Sequence, residues 1–296
     1  MIDKPSGLTS HKVVSILRRL ISQQSIGHTG TLDPMATGIM IMCLGSATAL
    51  SRFFTTLPKE YLGEMVLGRT STTYDTDGKV EIQDESPDIK NELIERVIQS
   101  FTGEQYQIPP RYSAVRVGGK RLYEYARRGQ DVIINPRRIV VYSIEILEFI
   151  NPIVRFKTMV SSGTYIRTLV HDIGAALGCG ALLCELRRTR VGTFRVEDSI
   201  DFSCLTSPSF LLDNAIIPVY DAVDFIPRCI IHDTSITRVR SGQAITGSDI
   251  IDGDVELADK QEVLLFDSNM LFVAIARVSR SDKGGFLLSP KRVFHD

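Results

Sequence analysis

"IGHTGTLDPMATGIM", residues Ile26 to Met40, carries one histidine, one aspartate and three glycines in a polar stretch that runs into an apolar one. Asp33 precedes Pro34, and Asp-Pro is a common turn in which the carboxylate caps backbone amides. His28, after Gly27, has an equally plain reading as a loop histidine tied to a carbonyl. Neither residue is needed merely to make a turn, so a functional reading stays open beside the structural one. The glycines do not form the GxxxxGK[ST] phosphate loop, and no GxGxxG follows a strand, which gives nucleotide cofactors little support.

Working outward, "GIMIMCLG" is short, apolar and bounded by glycines, as a buried strand is. Upstream, "LTSHKVVSILRRLISQQ" offers Thr9 or Ser10 as a cap, then Val13, Val14, Leu17, Leu20 and Ile21 at helical spacing, with Arg18 and Arg19 outward. Downstream, Ser46 to Thr56 reads as helical, "KEYLGEMVLG" as a strand and "DIKNELIERVIQSF" as an amphipathic helix. "RRIVVYSIEILEFI" and "IVRFKTMVSS" follow as strands. "TYIRTLVHDIGAALG" is a further helix stopped by Gly178, and "ALLCELRRTR" and "VGTFRV" are strands again. Residues 206–227 have mixed composition with several prolines and suit a connection. From Arg228 the segments "CIIHD", "EVLLFD", "MLFVAIARV" and "GFLLS" predict a small β-rich domain over 228–296.

The chain has 296 residues, 43% of them hydrophobic, enough for one large domain and a small one. "MIDKPSGLTS" has no apolar signal core, and no apolar run approaches the roughly 20 residues that span a bilayer. The five cysteines are scattered, without a CxxC pair or the histidine spacing of a zinc site, and read as reduced thiols of a cytoplasmic protein. Net charge is -1, but its distribution is uneven. Residues 111–195 hold fifteen Lys or Arg against six Asp or Glu, whereas 61–100 and 201–296 are each five charges negative. The basic middle is either a solvated face or a surface that neutralises phosphates.

Other candidates are individually weak. "YDTDGKVEIQDE" offers Asp75, Asp77 and Gly78 as a fragment of a calcium loop, with Thr73 where the first carboxylate belongs. "His171-Asp172" has the form of a metal phosphohydrolase pair but lacks further ligands, and on an apolar helix His171 is more simply structural. "PPRYSAVRVGGKRLYEYARRG" mixes arginines and tyrosines, which suits phosphate contact with base stacking and equally suits an ordinary surface helix. Tyr165 and Arg167 stand two apart where a strand hands over to a helix, so both can reach one pocket.

Taken in order, these segments resemble the tRNA pseudouridine-55 synthase family of the bacterial TruB type. "DKPSGLTSH" at 3–11 is similar to its opening motif and "GHTGTLDPMATG" at 27–38 to the stretch that holds its catalytic aspartate. "KEYLGEMVLGRTSTTYDTDG" at 59–78 is similar to the segment with the active-site tyrosine. "IPPRYSAVRVGGKRLYEYAR" and "SSGTYIRTLVHDIGAALGCGALLCELRRTRVGTF" complete a collinear match from residue 3 to about 196. "RSGQAIT" and the strand pattern after 228 resemble the family's PUA-type appendage. One departure is Arg116, where the family usually has lysine; the charge stays but the donor geometry changes.

The resemblance implies an α+β protein: a pseudouridine synthase domain over 1–205, with a mixed, mainly antiparallel sheet and flanking helices, a connection over 206–227, and a PUA-like RNA-binding domain over 228–296. It implies isomerisation of a T-loop uridine in the T-arm of tRNA, with no cofactor and no metal; no membrane contact and a monomer are expected because nothing in the residues signals a span or an oligomer. Asp33, Tyr61 and Arg167 are the implied catalytic residues. Asp33 is the nucleophile; burial raises its pKa and its ion-pair partner Arg167 reverses that tendency. Tyr61 stacks on the base and serves in removing the C5 proton. His28, Tyr165, Leu186, Lys4, Arg116, Lys120 and Arg121 are the implied substrate-binding set. His28 fills the space a flipped base vacates, Leu186 is an apolar wall, and Lys4 with Pro5 braces the site from beneath. The rivals are a tRNA-binding folding chaperone without catalysis, the guide-RNA-dependent branch of the superfamily, and a glycosidic hydrolase. The last needs two carboxylates in one site, and the sequence places only Asp33 in a catalytic context.

Overall fold

The computed structural model describes residues 1–85, 87–205, 207, 216–253, 256–280 and 285–294. In chain order its first part runs β1 (Ile2–Lys4), α1 (Ser10–Leu20), β2 (Ile26–His28), β3 (Thr37–Met40), β4 (Met42–Leu44), α2 (Ser51–Thr56), β5 (Lys59–Leu67), β6 (Arg69–Ser71), β7 (Val80–Ile82), α3 (Asn91–Ser100) and β8 (Gly103–Gln107). It continues with β9 (Arg116–Val117), β10 (Lys120–Arg121), α4 (Leu122–Arg127), β11 (Arg137–Ile150), β12 (Ile153–Val160), α5 (Ile166–Leu177), β13 (Ala181–Val191), β14 (Phe194–Arg195) and β15 (Ile200–Asp201).

Helix α1 starts at Thr9, whose hydroxyl accepts a hydrogen bond from Lys12 N at 3.1 Å. Its apolar face buries Val13, Val14 and Leu17. Arg18 is not simply outward as its spacing predicts: Nη2 donates to Ile26 O at 2.9 Å and ties the helix to β2. The expected single strand "GIMIMCLG" is two strands. β3 joins the main sheet while β4 pairs with β2, with His28 opposite Met42. The break between them re-aims the chain, and it leaves residues 29–36 as a loop spanning β2 and β3.

Among the described residues the main sheet has the order β15-β1-β3-β13-β5-β12-β11-β8, with β14 added against β13. The pairs β1/β15 and β3/β13 are parallel; the long ladders β13/β5, β5/β12 and β12/β11 are antiparallel. Along β12 the alternation expected of a half-buried strand is real: Val154, Phe156, Thr158 and Val160 are buried and Arg155 is exposed. Helix α5 buries Leu169, Val170 and Ile173 and is stopped by Gly178 at φ 81°. At Gly174 a Cβ would stand 2.1 Å from Ala181 N, so only glycine lets the helix lie this close to the start of β13.

Backbone contacts divide the chain into compact units of residues 1–208 and 209–296. Of the expected connection over 206–227, residues 206 and 208–215 lie outside the described residues. The second unit contains α6 (Val219–Ala222), β16 (Arg228–Ile231), α7 (Asp233–Arg240), β17 (Ile245–Thr246), β18 (Ile250–Gly253), β19 (Glu262–Phe266), β20 (Phe272–Arg280) and β21 (Phe286–Val293). Its sheet order is β17-β21-β20-β19-β16-β18. The core is Cys229, Ile231, Val263, Leu265, Ala274, Ala276 and Leu288 with their neighbours. Helix α7 was not legible, because its only apolar residues are Ile236 and Val239. Among the described residues no helix is long and apolar enough to cross a membrane.

Candidate active site

The loop carrying Asp33 is held at several points by buried polar groups. Ser10 Oγ donates to Leu32 O at 3.0 Å and accepts from Leu32 N at 2.9 Å. Gly7 N donates to Pro34 O at 2.9 Å. Lys4, 0% exposed, donates from Nζ to Pro5 O at 2.8 Å, Leu8 O at 2.7 Å and Pro34 O at 3.2 Å. From β13, Arg188 donates to Ile39 O at 2.9 Å, Gly30 O at 3.1 Å and Thr31 O at 3.5 Å. Gly38 has φ 106°, and a Cβ there would meet Arg188 O at 2.2 Å. Approach of the β13 backbone therefore demands this glycine.

Asp33 meets Arg167 face to face. Nη2 of Arg167 donates to Asp33 Oδ1 at 3.0 Å, and Nε lies 3.0 Å from Oδ2. The guanidinium is 5% exposed and the carboxylate 30%, so the pair is buried on the arginine side and open on the aspartate side. Arg167 also donates to Tyr112 O at 3.0 Å and Thr73 O at 3.4 Å, and its Nη1 is 3.7 Å from Asp75 Oδ2. Burial raises the Asp33 carboxyl above its ordinary value; Arg167 acts against that rise, and Asp75 and Asp77 add to it. The expected reversal by the guanidinium is thus incomplete, because desolvation and two further carboxylates work against one cation.

The cations beneath the loop respond to the same burial. Lys4 falls to about 8, chiefly through desolvation, with Asp33 raising it and Arg188 lowering it. Lys59, on β5, falls to about 8 through desolvation and Arg188. His28 accepts from Gly30 N at Nδ1 over 3.4 Å. Burial, Arg188 and His11 lower its pKa, which leaves the ring neutral at neutral pH.

Tyr165 caps α5, two residues before Arg167. Its N donates to Gln107 Oε1 at 2.8 Å and its carbonyl accepts from Gln107 Nε2 at 3.0 Å, a two-point bracket from β8. Arg167 Cζ is 6.0 Å from the Tyr165 ring centroid. Burial raises the Tyr165 phenol, with Ser113 and Arg167 pulling the other way. Tyr61, buried on β5, faces Arg188 across the β5/β13 ladder, and Gly63 faces Leu186. Tyr61 and Leu186 therefore share a side of the sheet with the arginine that holds the Asp33 loop. Leu186 lines a cavity of about 740 Å³ together with Pro34, Met35, Thr76 and Asp77.

The structure thus brings Asp33, Arg167 and Tyr165 together and puts Tyr61 and Leu186 on the sheet beside their loop. Lys4 is corrected from the substrate-binding set: its ammonium is buried on three carbonyls and supports the loop. Arg116, Lys120 and Arg121 are exposed on the β9/β10 hairpin, where Arg116 pairs with Arg121. Among the described residues no group of three or more His, Cys, Asp or Glu could hold a metal ion. Asp75 corrects the reading that only one carboxylate stands in a catalytic context, since a second one reaches Arg167. Its side chain is 3% exposed.

Sequence reasoning missed Arg188, Ser10 and Gln107. Arg188 had a signal: in "LLCELRRTR" two adjacent arginines on one strand cannot both face solvent. Ser10 and Gln107 had none, because both act through long-range contacts to main chain.

Two family models match this chain: TruB family pseudouridylate synthase (N-terminal domain) over residues 18–166 and tRNA pseudouridylate synthase B C-terminal domain over 167–224. It is 43% identical to tRNA pseudouridine synthase B of Opitutus terrae, across 76% of this chain and 94% of that one. It is 38% identical to tRNA pseudouridine synthase B of Syntrophus aciditrophicus, across 100% of this chain and 98% of that one. Among solved structures it is similar to an archaeal box H/ACA Nop10-Cbf5 complex, with TM-score 0.74, 28% identity, and 99% of this chain and 85% of that one covered. An H/ACA particle bound to a substrate RNA containing 2'-deoxyuridine matches with TM-score 0.74 and 27% identity, over 100% of this chain and 84% of that one. The fold is therefore that of a pseudouridine synthase with a small β-rich, PUA-like C-terminal domain.

Proposed function

This chain belongs to the TruB family of pseudouridylate synthases and is a tRNA pseudouridine synthase, and on that premise we propose that it isomerises the T-loop uridine at position 55 with Asp33 as nucleophile. The reaction breaks the N1–C1′ bond and forms C5–C1′; C5 loses a proton, N1 ends protonated, and the composition is unchanged. A carboxylate serves such a rearrangement by covalent catalysis. The observation that carries the reading is the Asp33–Arg167 pair, with both contacts at 3.0 Å and the carboxylate as its open end. Arg167 gives Oδ1 a charge-assisted hydrogen bond from Nη2 and sets Nε 3.0 Å from Oδ2, so one fixed cation stands against both oxygens.

The target base lies in a folded loop and has to leave its stack, at a cost of a few kcal/mol. His28, neutral and at the edge of the Asp33 loop, is the group that takes its place. Tyr61 offers a flat face for the base and a hydroxyl for the C5 proton. Tyr165 and Leu186 line the pocket. The β9/β10 hairpin, with Arg116, Lys120 and Arg121, meets phosphates of the T-arm, and the domain over 228–296 binds RNA beyond it. The enzyme works as a cytoplasmic monomer and needs no cofactor or metal.

Tritium release from C5-labelled uridine in an unmodified tRNA transcript tests this, with purified protein and no guide RNA or cofactor. Wild type releases tritium, whereas Asp33→Asn releases none and binds tRNA almost as tightly. An active Asp33→Asn overturns the assignment. An inert wild type that still binds leaves a chaperone, and free uracil among the products leaves a hydrolase.

A further inference from the structure

Only one side of the Arg167 guanidinium meets the nucleophile. Nε and Nη2 face Asp33, while Nη1 reaches Thr73 O at 3.4 Å and Asp75 Oδ2 at 3.7 Å. A guanidinium is planar, so whatever fixes Nη1 fixes the angle that the other two nitrogens present to the carboxylate. Together with Tyr112 O, which accepts from Nη2 at 3.0 Å, the 73–75 segment therefore sets the alignment of the catalytic pair.

The residue between Thr73 and Asp75 is Tyr74. Its φ is 66°, a left-handed conformation disfavoured for a residue with a bulky side chain. Surroundings that over-determine such a residue are the usual reason it persists, and they are visible here. Tyr74 N donates to Ser71 O at 3.2 Å, and its carbonyl accepts from Leu183 N at 3.1 Å. Its ring lies flat on the imidazole of His171, with centroids 3.9 Å apart and planes 15° from parallel. His171 is on α5, four residues after Arg167, so the two side chains emerge on one face of the helix a turn apart. They grip the same short segment at two points: Arg167 through Thr73 and Asp75, His171 through the ring of Tyr74. His171 Nδ1 is buried without a hydrogen-bond partner among the described residues, so no polar bond holds the ring at that atom.

We propose that Tyr74 and His171 are positioning residues, whose stacked rings clamp the 73–75 segment to α5 and so hold Arg167 square to Asp33. Burial lowers the His171 imidazole, which keeps the stack uncharged at neutral pH. The proposal rests on the assignment of Asp33 and Arg167 above.

The test substitutes each ring in two ways and reads kcat and KM separately by tritium release, with tRNA affinity as the check on folding. His171→Phe and Tyr74→Phe keep the aromatic faces, and both retain kcat within about threefold of wild type. His171→Ala removes one ring. Tyr74→Gly removes the other while leaving a residue at ease with φ 66°. Each lowers kcat by about 10- to 100-fold with KM within about threefold, since the loss is of alignment and not of RNA contact. The double variant is no worse than either single, because one stack is lost only once. The proposal is overturned if His171→Phe is as impaired as His171→Ala, which would make the imidazole nitrogens the working atoms. Additive effects, unchanged kcat in the ring-deleted variants, or a loss confined to KM overturn it too. Asp33→Asn run alongside separates the two levels: an active Asp33→Asn sinks the assignment of the nucleophile whatever the ring variants show.

Discussion

The loop around Asp33 and the hairpin around Arg116 are both rich in candidate residues, yet the structure treats them in opposite ways. Residues 30–32, 34 and 39 take hydrogen bonds from Ser10, Gly7, Lys4 and Arg188, and Asp33 itself is matched to Arg167. The hairpin places Arg116, Lys120 and Arg121 in solvent. Chemistry at one carbon needs a carboxylate whose position is not negotiable, and buried bonds to main chain provide that. Contact with a phosphate backbone tolerates long flexible cations, since the attraction is long-ranged and non-directional.

That contrast breaks most visibly at Arg188, which is 2% exposed. Arg188→Ala leaves the buried carbonyl of Ile39 and the part-buried carbonyls of Gly30 and Thr31 without this donor, which costs about 3 kcal/mol of stability. It also lowers kcat by about 100-fold or more as the loop drifts. Denaturant unfolding together with tritium release checks both, and a fall in kcat at full stability would make Arg188 a substrate contact instead of a support.

A second test sharpens the description of the nucleophile. Because burial holds the Asp33 pKa above the ordinary carboxylate value, the nucleophile proposed here is expected to be protonated, and activity lost, at a higher pH than for a free aspartate. The acid limb of kcat/KM against pH therefore falls with one proton, from a midpoint above 3.8. Asp77→Asn removes one of the charges that raises Asp33 and moves that limb down; a limb that stays put would take Asp77 out of the electrostatics.

The hairpin is expected to give the smallest effects. Arg116→Ala, Lys120→Ala and Arg121→Ala each flatten the dependence of log affinity on log salt by about one and leave stability within about 0.5 kcal/mol. Their kcat at saturating tRNA stays at the wild-type value. A kcat loss in any of them, measured at low salt, would move the hairpin from the phosphate backbone into the reaction.

Legibility in the sequence followed the range of the interaction. Helices α1, α3 and α5 announced themselves through caps and apolar spacing, and strands β5, β11, β12 and β13 through apolar runs, because those signals lie within a dozen residues. Helix α7 did not, having two apolar positions to show. "GIMIMCLG" was readable as buried and extended but not as two strands in different sheets, since each half is chosen by a partner far away in the chain. Asp33 and Arg167 could be named as an ion pair only through the resemblance, since at 134 residues apart no local pattern says that they touch. Asp75 stood in plain view in "YDTDG" and was read locally, as a piece of a cation loop. Its actual partner is Arg167, on a helix that begins some ninety residues later.

The sequence by itself therefore determined which residue types are present at motif spacing, which segments bury one face, and where basic charge accumulates. All of these are properties of neighbouring positions. The tertiary structure decided that Lys4 points inward, that Arg188 carries the catalytic loop, that Gly38 answers to a strand and that Asp33 titrates above its ordinary range. Each of those depends on desolvation and on partners from distant elements, and a buried charge acquires its properties only when the chain has closed around it.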